Sequence, residues 1–249
     1  MIIIKDKAAL AKMEQAGQLL ALIFQDLPSR IEVGVSTLEL DGWIEEQLRA
    51  KNMIGMSKGY HGYKHVSCIS LNDEVVHGIP KKDRLLKAGD LVKVDVGASW
   101  SGYCADMTRC YYVDQVPQVV RDFVQTAQNS LDQAITCVQS GQHLSDLSAA
   151  VQAEVERHGY GVVRAFAGHG IGKQMHEDPE ILNYGKPGKG PRLAVGMTLA
   201  IEPMITMGSY EVYVDKDGWT VKTKDGSLAA HVEDTVAVTE HGPRVFTRI

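Results

Sequence analysis

Apolar positions recur at helical spacing over four stretches of the chain. Leu10, Met13, Gly17, Leu20, Phe24 and Leu27 share one face of a helix that Asp6 is placed to cap and Pro28 to stop. Ser36-x-x-Glu39 is a capping-box signature ahead of a second helix with Leu40, Ile44 and Leu48 on its buried face. A third helix is predicted from near Pro117, with Val120, Phe123, Ala127, Leu131 and Ile135 inward and Gly141 beyond its end. A fourth starts near Ser145, carries Leu147, Val151 and Val155, and ends at Gly159.

Between the helices the pattern is that of strands. Short ones are predicted at Ile2–Ile4, Val66–Leu71 and Glu74–Val76, and others at Val162–Phe166, Met197–Ile201 and Val232–Thr239. Glu211 to Leu228 reads as a hairpin turning at Asp217-Gly218. Gly55–Gly62, Gly168–Gly172 and Gly185–Pro191 read as loops, and Lys87-Ala88-Gly89-Asp90 as a turn.

The remaining stretch, Leu91 to Arg109, is a second hairpin and carries chemistry. Asp95 stands in the middle of an apolar strand and Asp106 follows a Ser/Gly turn. A turn centred on Trp100-Ser101 pairs residues whose numbers sum to 201, which sets Asp95 opposite Asp106. Directly opposed side chains stand roughly 4.5–5.5 Å apart. Two carboxylates that close require a shared proton, a base or a cation. Lys93 shares the face of Asp95 but is expected to extend to solvent. A metal is the sharper reading; a surface hairpin with two acids near its turn is the plainer one.

The two halves of the chain repeat weakly. At an offset of 107 residues, Gly34 falls on Gly141, Glu39 on Asp146, Leu40 on Leu147, Ile44 on Val151 and Leu48 on Val155. Further on, Gly89 falls on Gly196, Val92 on Leu199, Val94 on Ile201 and Asp95 on Glu202. Asp106 acquires an image in Glu233 at an offset of 127, the extra 20 residues being supplied by the hairpin at Asp217-Gly218. Four carboxylates from two pseudo-symmetric halves carry a charge of about −4, which matches two divalent cations. Oxygen-rich ligation suits manganese, iron or cobalt, with zinc not excluded.

Composition narrows the class. At 249 residues, with 44% hydrophobic and 23% charged positions, the chain reads as an ordinary globular protein able to bury a substantial core. A net charge of −5 without a basic cluster argues against nucleic acid or an anionic membrane as partner. No apolar run is long enough to span a bilayer, and the opening residues lack a signal-peptide core. The four cysteines form no Cys-x-x-Cys pair, which points to a reducing cytoplasm.

His169 lies in Gly168-His169-Gly170-Ile171-Gly172, where glycines let backbone approach a ligand closely. His176 follows seven residues later, a spacing that fits no His-Glu-x-x-His zinc helix. No Walker-type Lys-Ser/Thr follows the glycines. One imidazole would complete a carboxylate site, leaving others to donate hydrogen bonds to a substrate.

Together, His77-Gly78-Ile79-Pro80, Asp95 with Asp106-x-Thr108-Arg109, Gly168–Gly172 with His176-Glu177, Glu202-Pro203 and His231–Thr235 resemble the methionyl aminopeptidases. The resemblance is to the bacterial type I form and covers essentially the whole chain. It implies an α+β "pita-bread" (creatinase/aminopeptidase) fold, a pseudo-twofold antiparallel sheet with helices packed outside. It also implies one catalytic domain over residues 1–249, its halves roughly 1–116 and 117–249. The implied activity is removal of the initiator methionine before a small second residue, by a hydroxide bridging two divalent metals. Asp95, Asp106 and Glu233 are then ligands of one ion, and Asp106, His169, Glu202 and Glu233 of the other. Glu202 would move the proton, His176 steady the oxyanion, and His77 contact the scissile amide nitrogen. Tyr60, His61, Tyr63, Cys68, Trp219 and Met175 would line the methionine pocket. Ser57 and Met175 depart from the cysteine and aromatic that bacterial relatives often place there. Implied partners are nascent polypeptide N-termini, with ribosome association allowed and a monomer expected. Proline-specific relatives are the nearest alternative; they usually carry a large extra N-terminal domain. A non-catalytic pita-bread binding module is a further alternative, disfavoured because all five ligand residues are present.

Overall fold

The computed structural model describes residues 1–249. Helix α1 (Lys7–Asp26) starts as predicted, with Asp6 Oδ1 accepting from Ala9 N at 2.8 Å. It gives way to a 3-10 turn at Leu27–Arg30, where Pro28 lacks the donor a further turn would use. Helix α2 (Thr37–Ala50) opens on the capping box: Glu39 Oε2 accepts from Ser36 N at 2.8 Å, and Ser36 Oγ accepts from Glu39 N at 3.2 Å. Strands β1 (Ile54–Gly55), β2 (Cys68–Leu71) and β3 (Glu74–Val76) precede the long hairpin of β4 (Leu91–Trp100) and β5 (Tyr103–Tyr112). Then come α3 (Gln118–Thr136), α4 (Leu144–Glu156), β6 (Gly161–Val162), β7 (Gly168–Gly170), β8 (Glu177–Ile181), β9 (Thr198–Ile201) and β10 (Met204–Thr206). A hairpin of β11 (Val212–Val214) and β12 (Val221–Thr223) leads to β13 (Ala229–His231), β14 (Asp234–Thr239) and β15 (Gly242–Val245).

The sheets are antiparallel throughout, and each half contributes one large one: β1-β4-β2 with β5 on β4, and β15-β14-β9-β7-β8. Thr108 of β5 and Glu233, just before β14, form an antiparallel bridge that joins them. Two apolar clusters follow the same division. One packs α1 and α2 on β4 and β5 through Leu20, Phe24, Leu40, Ile44, Val94 and Val96. The other packs α3 and α4 on the second sheet through Phe123, Leu131, Val151, Leu199 and Val236.

The 107-residue repeat is present in the backbone. Ser36–Glu39 and His143–Asp146 both tie the carboxylate at the third helical position back to the N-cap amide, at 2.8 and 2.9 Å. Gly34 and Gly141 are left-handed at φ +88° and +92°, and Gly89 and Gly196 both at +91°. Even the isolated bridges match, Ser36 with Leu85 and His143 with Arg192.

Several expectations are corrected. The β4–β5 loop is Ser101-Gly102, both residues at positive φ (+50° and +79°), the conformation a two-residue hairpin favours. The pairing therefore sums to 203: Gly97 opposes Asp106 and Asp95 opposes Thr108. Asp95 and Asp106 stay on one face, since the slip is two residues, but as diagonal neighbours. Lys93 does not reach solvent. It is 1% exposed, its Nζ donates to Asn72 O at 2.9 Å, and burial pushes its pKa down to about 8. Residues 2–4 join no sheet; Lys5 N anchors the segment by donating to Gly196 O at 2.8 Å. Of the stretch expected at 162–166 only Val162 lies in a strand, paired with Ile205. Gly168–Gly170 is a strand rather than a loop. A Cβ on Gly168 or Gly170 would strike Ala200 O or Asp178 O, so these glycines serve close approach of neighbouring strands rather than of a ligand.

Candidate metal centre and substrate cleft

The two large sheets bring the acids together at their junction. Asp106, on β5, has its amide bonded to Thr235 Oγ1 at 2.8 Å, and Thr235 Oγ1 donates back to Asp106 O at 2.9 Å. Glu233 is 1% exposed; its Oε2 accepts from Thr108 Oγ1 at 2.9 Å, and its backbone is fixed by the bridge to Thr108. Arg109 steadies the same corner, bonding Glu233 O and pairing with Asp234 Oδ1 at 2.6 Å. His169, on β7, donates from Nδ1 to Gly170 O at 2.9 Å, leaving Nε2 toward the acids.

Asp106, His169 and Glu233 each present a ligand atom, all within 4.8 Å of one another. Glu202 Oε1 lies 3.8 Å from His169 Nε2, and Asp106 Oδ2 lies 3.7 Å from it. Asp95, partly buried, adjoins them on the diagonal of the β4–β5 ladder. Burial first, then the charge of Asp106 and Glu202, pushes the Asp95 and Glu233 carboxyls well above the usual range. Burial works against charge on His169, but the adjoining Asp106 and Glu202 outweigh it and raise its pKa. Glu233 Oε1 is buried with no hydrogen-bond partner. An orphaned carboxylate oxygen among acids and one imidazole is an arrangement that divalent cations satisfy, so these residues fit them.

The histidines placed around the centre differ from its ligands. Burial holds His77 and His176 below the ordinary histidine range. His77 takes a left-handed conformation (φ +60°), and its ring meets Phe166 edge-on at 5.7 Å. His176 faces the cleft, its ring 4.5 Å from His169 and 5.6 Å from Tyr60. Both line a cleft of about 730 Å³ that also reaches His169 and Glu202.

A smaller cavity of about 210 Å³ opens between Asp95, Asp106 and the apolar wall of Tyr60, Tyr63, Cys68, Met175 and Trp219, with Ser57 at its rim. At about 30 Å³ per water, it has room for a four-heavy-atom side chain such as methionine's. His61 does not line it; its ring packs against Tyr60 at 4.4 Å. Gly97 does, for a reason visible only once the register is known. A Cβ there would overlap Met175 Cε and stand 3.4 Å from Asp106 Oδ1. Gly97→Ala is expected to push Met175 into the cavity and lower kcat/KM for methionyl peptides by roughly 10²-fold. Steady-state kinetics check this; an unchanged kcat/KM would show that Met175 is free to move aside.

His231 is the residue that sequence reasoning left out. Its Nε2 stands 3.1 Å from Glu202 Oε2, and it is 2% exposed. It ends β13, and its partner Glu202 lies 29 positions away in sequence.

An acid-rich, histidine-supported centre at the junction of two pseudo-symmetric halves, beside a partly apolar cavity, is the arrangement of a metal-dependent hydrolase. A profile of metallopeptidase family M24 matches residues 11–240. Methionine aminopeptidase from Clostridium acetobutylicum is 43% identical over 247 residues, 99% of each chain. The crystal structure of methionine aminopeptidase from Thermotoga maritima superposes with a TM-score of 0.98, at 40% identity and full coverage of both chains. X-Pro aminopeptidase from the same organism shares the fold, with a TM-score of 0.78 at 21% identity, all of this chain covering 63% of that one. The chain belongs to metallopeptidase family M24, and within it to the methionine aminopeptidases. The expected α+β pita-bread fold is thereby confirmed.

Proposed function

We propose that the protein removes the initiator methionine from nascent polypeptides whose second residue is small. The observation that carries this is that Asp106 of the Asp106–His169–Glu233 cluster, together with Asp95, lines a small cavity with room for one unbranched side chain. A substrate whose first side chain enters this cavity presents its first peptide bond to the neighbouring acids, which accounts for trimming by one. We assign Asp95, Asp106 and Glu233 to one divalent ion and Asp106, His169, Glu202 and Glu233 to a second, taken from manganese, iron or cobalt, with zinc as a further choice. When bound, such ions supply Lewis acidity toward the scissile carbonyl and the attacking water.

The chain's own groups do the rest. Glu202 Oε1 takes the proton of the attacking water and returns it to the leaving amine, while Oε2 stays anchored on His231. His176, kept neutral by burial, donates its ring N–H to the developing oxyanion. His77, also neutral, contacts the scissile amide nitrogen. Tyr63, Cys68, Met175 and Trp219 exclude water around the methionine side chain, with Tyr60 at the opening. The whole chain acts as one catalytic domain, a monomer working in the cytoplasm; no helix is long and apolar enough to cross a membrane.

Free methionine released from Met-Ala and Met-Gly peptides, with manganese, cobalt or ferrous iron added, is the direct assay. Release from these and not from Xaa-Pro peptides is expected. Cleavage confined to Xaa-Pro bonds, or none with any metal, would overturn the assignment.

A further inference from the structure

Lys5 and Glu177 form an ion pair at 2.6 Å with both side chains 4% exposed, the most completely buried lysine–carboxylate pair in the protein. Nothing in the chemistry above uses it. A buried pair of this kind is weak evidence for stability, because desolvation offsets much of its attraction. Its position is more informative. Glu177 directly follows His176 and opens β8, where Gly170 is its ladder partner. The six residues between that pair, Ile171–His176, form a loop carrying both Met175 of the cavity wall and His176.

Glu177 holds this loop from inside. Its Oε1 accepts from Gln174 N at 3.2 Å, while Oε2 takes the Lys5 ammonium. Gly172 is packed against both partners: a Cβ there would lie 2.5 Å from Glu177 Oε1 and 2.6 Å from Lys5 Cε. Lys5 is itself fixed, its Nζ donating to Ile3 O at 3.0 Å and its amide to Gly196 O at 2.8 Å. Gly196 in turn donates to Val238 O on β14, the strand that follows Glu233. A line of bonded groups therefore runs from the second sheet, through the segment before α1, into the loop of His176.

Building on the proposed function, we infer that Lys5 is a positioning residue for methionine removal: its ammonium clamps Glu177 and so sets where His176 and Met175 stand relative to the metal centre. The segment preceding α1 is then part of the active site although it touches no reacting atom. A positively charged, well-seated group is required, so Lys5→Arg should recover part of what Lys5→Met loses.

Three variants test this, read by kcat, bound metal, amide exchange and melting temperature. Lys5→Met is expected to lower kcat for a Met-Ala peptide by roughly 10-fold to 10²-fold with bound metal per chain unchanged. Amide exchange over 171–176 in the metal-free protein is expected to speed up in that variant, without a matching change in α3 or α4. Lys5→Met combined with Glu177→Gln removes the stranded buried charge, so it keeps the comparison available where Lys5→Met alone folds poorly. If the pair is merely structural, the double variant recovers wild-type kcat along with wild-type melting temperature, and the inference is overturned. It is equally overturned if loop exchange in the variants matches wild type. A wild-type protein that releases no methionine would instead overturn the function on which this rests, while the exchange result would still report on the clamp.

Discussion

Glu202→Gln is expected to reduce methionine release by roughly 10²-fold to 10⁴-fold while leaving the fold intact. The amide is nearly isosteric with the carboxylate and retains an oxygen and an NH₂ group with which to meet His231, now 3.1 Å away. What it loses is the ability to accept a proton from water and hand it to the departing amine. It also removes one negative charge from the centre, so bound metal must be measured in the same preparation. With metal restored to wild-type stoichiometry at high concentration, the rate deficit should persist. A variant with bound metal and a rate within about threefold of wild type would exclude Glu202 as the group that moves the proton.

Chelation is expected to abolish methionine release and to leave a protein whose melting temperature falls as pH rises. Asp95 and Glu233 have folded-state pKa values well above the carboxylate range, through burial and through Asp106 and Glu202. Their unfolded values are about 3.9 and about 4.3. Above those values the unfolded chain has released protons that the folded chain still holds, so stability drops with pH until the folded groups ionise. His169, raised by its acidic neighbours, acts in the same sense above its unfolded value of about 6.5. His77 and His176 are lowered, so they add stability as pH climbs toward about 6.5 and nothing beyond. Lys93, lowered to about 8, begins to add stability only above that value. Between about pH 6.5 and about pH 8 none of the lowered groups opposes the fall, which His169 carries past about 6.5. Cations replace the retained protons, so the gap between metal-loaded and metal-free melting temperatures should widen across that window. Thermal melts of both forms over a pH series decide it; a metal-free melting temperature that rises steadily through the window contradicts the coupled acids.

Much of this was legible in the chain, and the exceptions share a cause. Helices α1 to α4 could be read because apolar spacing and capping chemistry are local: Asp6, the Ser36–Glu39 box and Pro28 act within a turn or two of where they stand. The face shared by Asp95 and Asp106 was legible because alternation survives a slip of two residues. Their exact opposition was not, because register depended on Ser101 accepting positive φ beside Gly102. Lys93 misled for a different reason. Its partner is a backbone carbonyl at Asn72, and nothing in a side-chain pattern announces a carbonyl in need of a donor. Glycines at 168 and 170 read as loop residues that admit a ligand, whereas what they admit is the backbone of neighbouring strands at Ala200 O and Asp178 O. His231 and the Lys5–Glu177 pair bridge 29 and 172 positions of sequence, beyond the reach of any local rule.

The paired glycines, matched N-cap carboxylates and matched bridges at one constant spacing carry a historical consequence. Each half supplies two of the four acids, and neither half alone surrounds a cation, since Glu233 is held in place by Thr108 and Arg109 across the junction. The centre thus has the geometry of a twofold interface between two like subunits, folded into one polypeptide. One half presents a histidine to the cluster through β7 and the other presents none, an asymmetry that a dimer of identical chains cannot have.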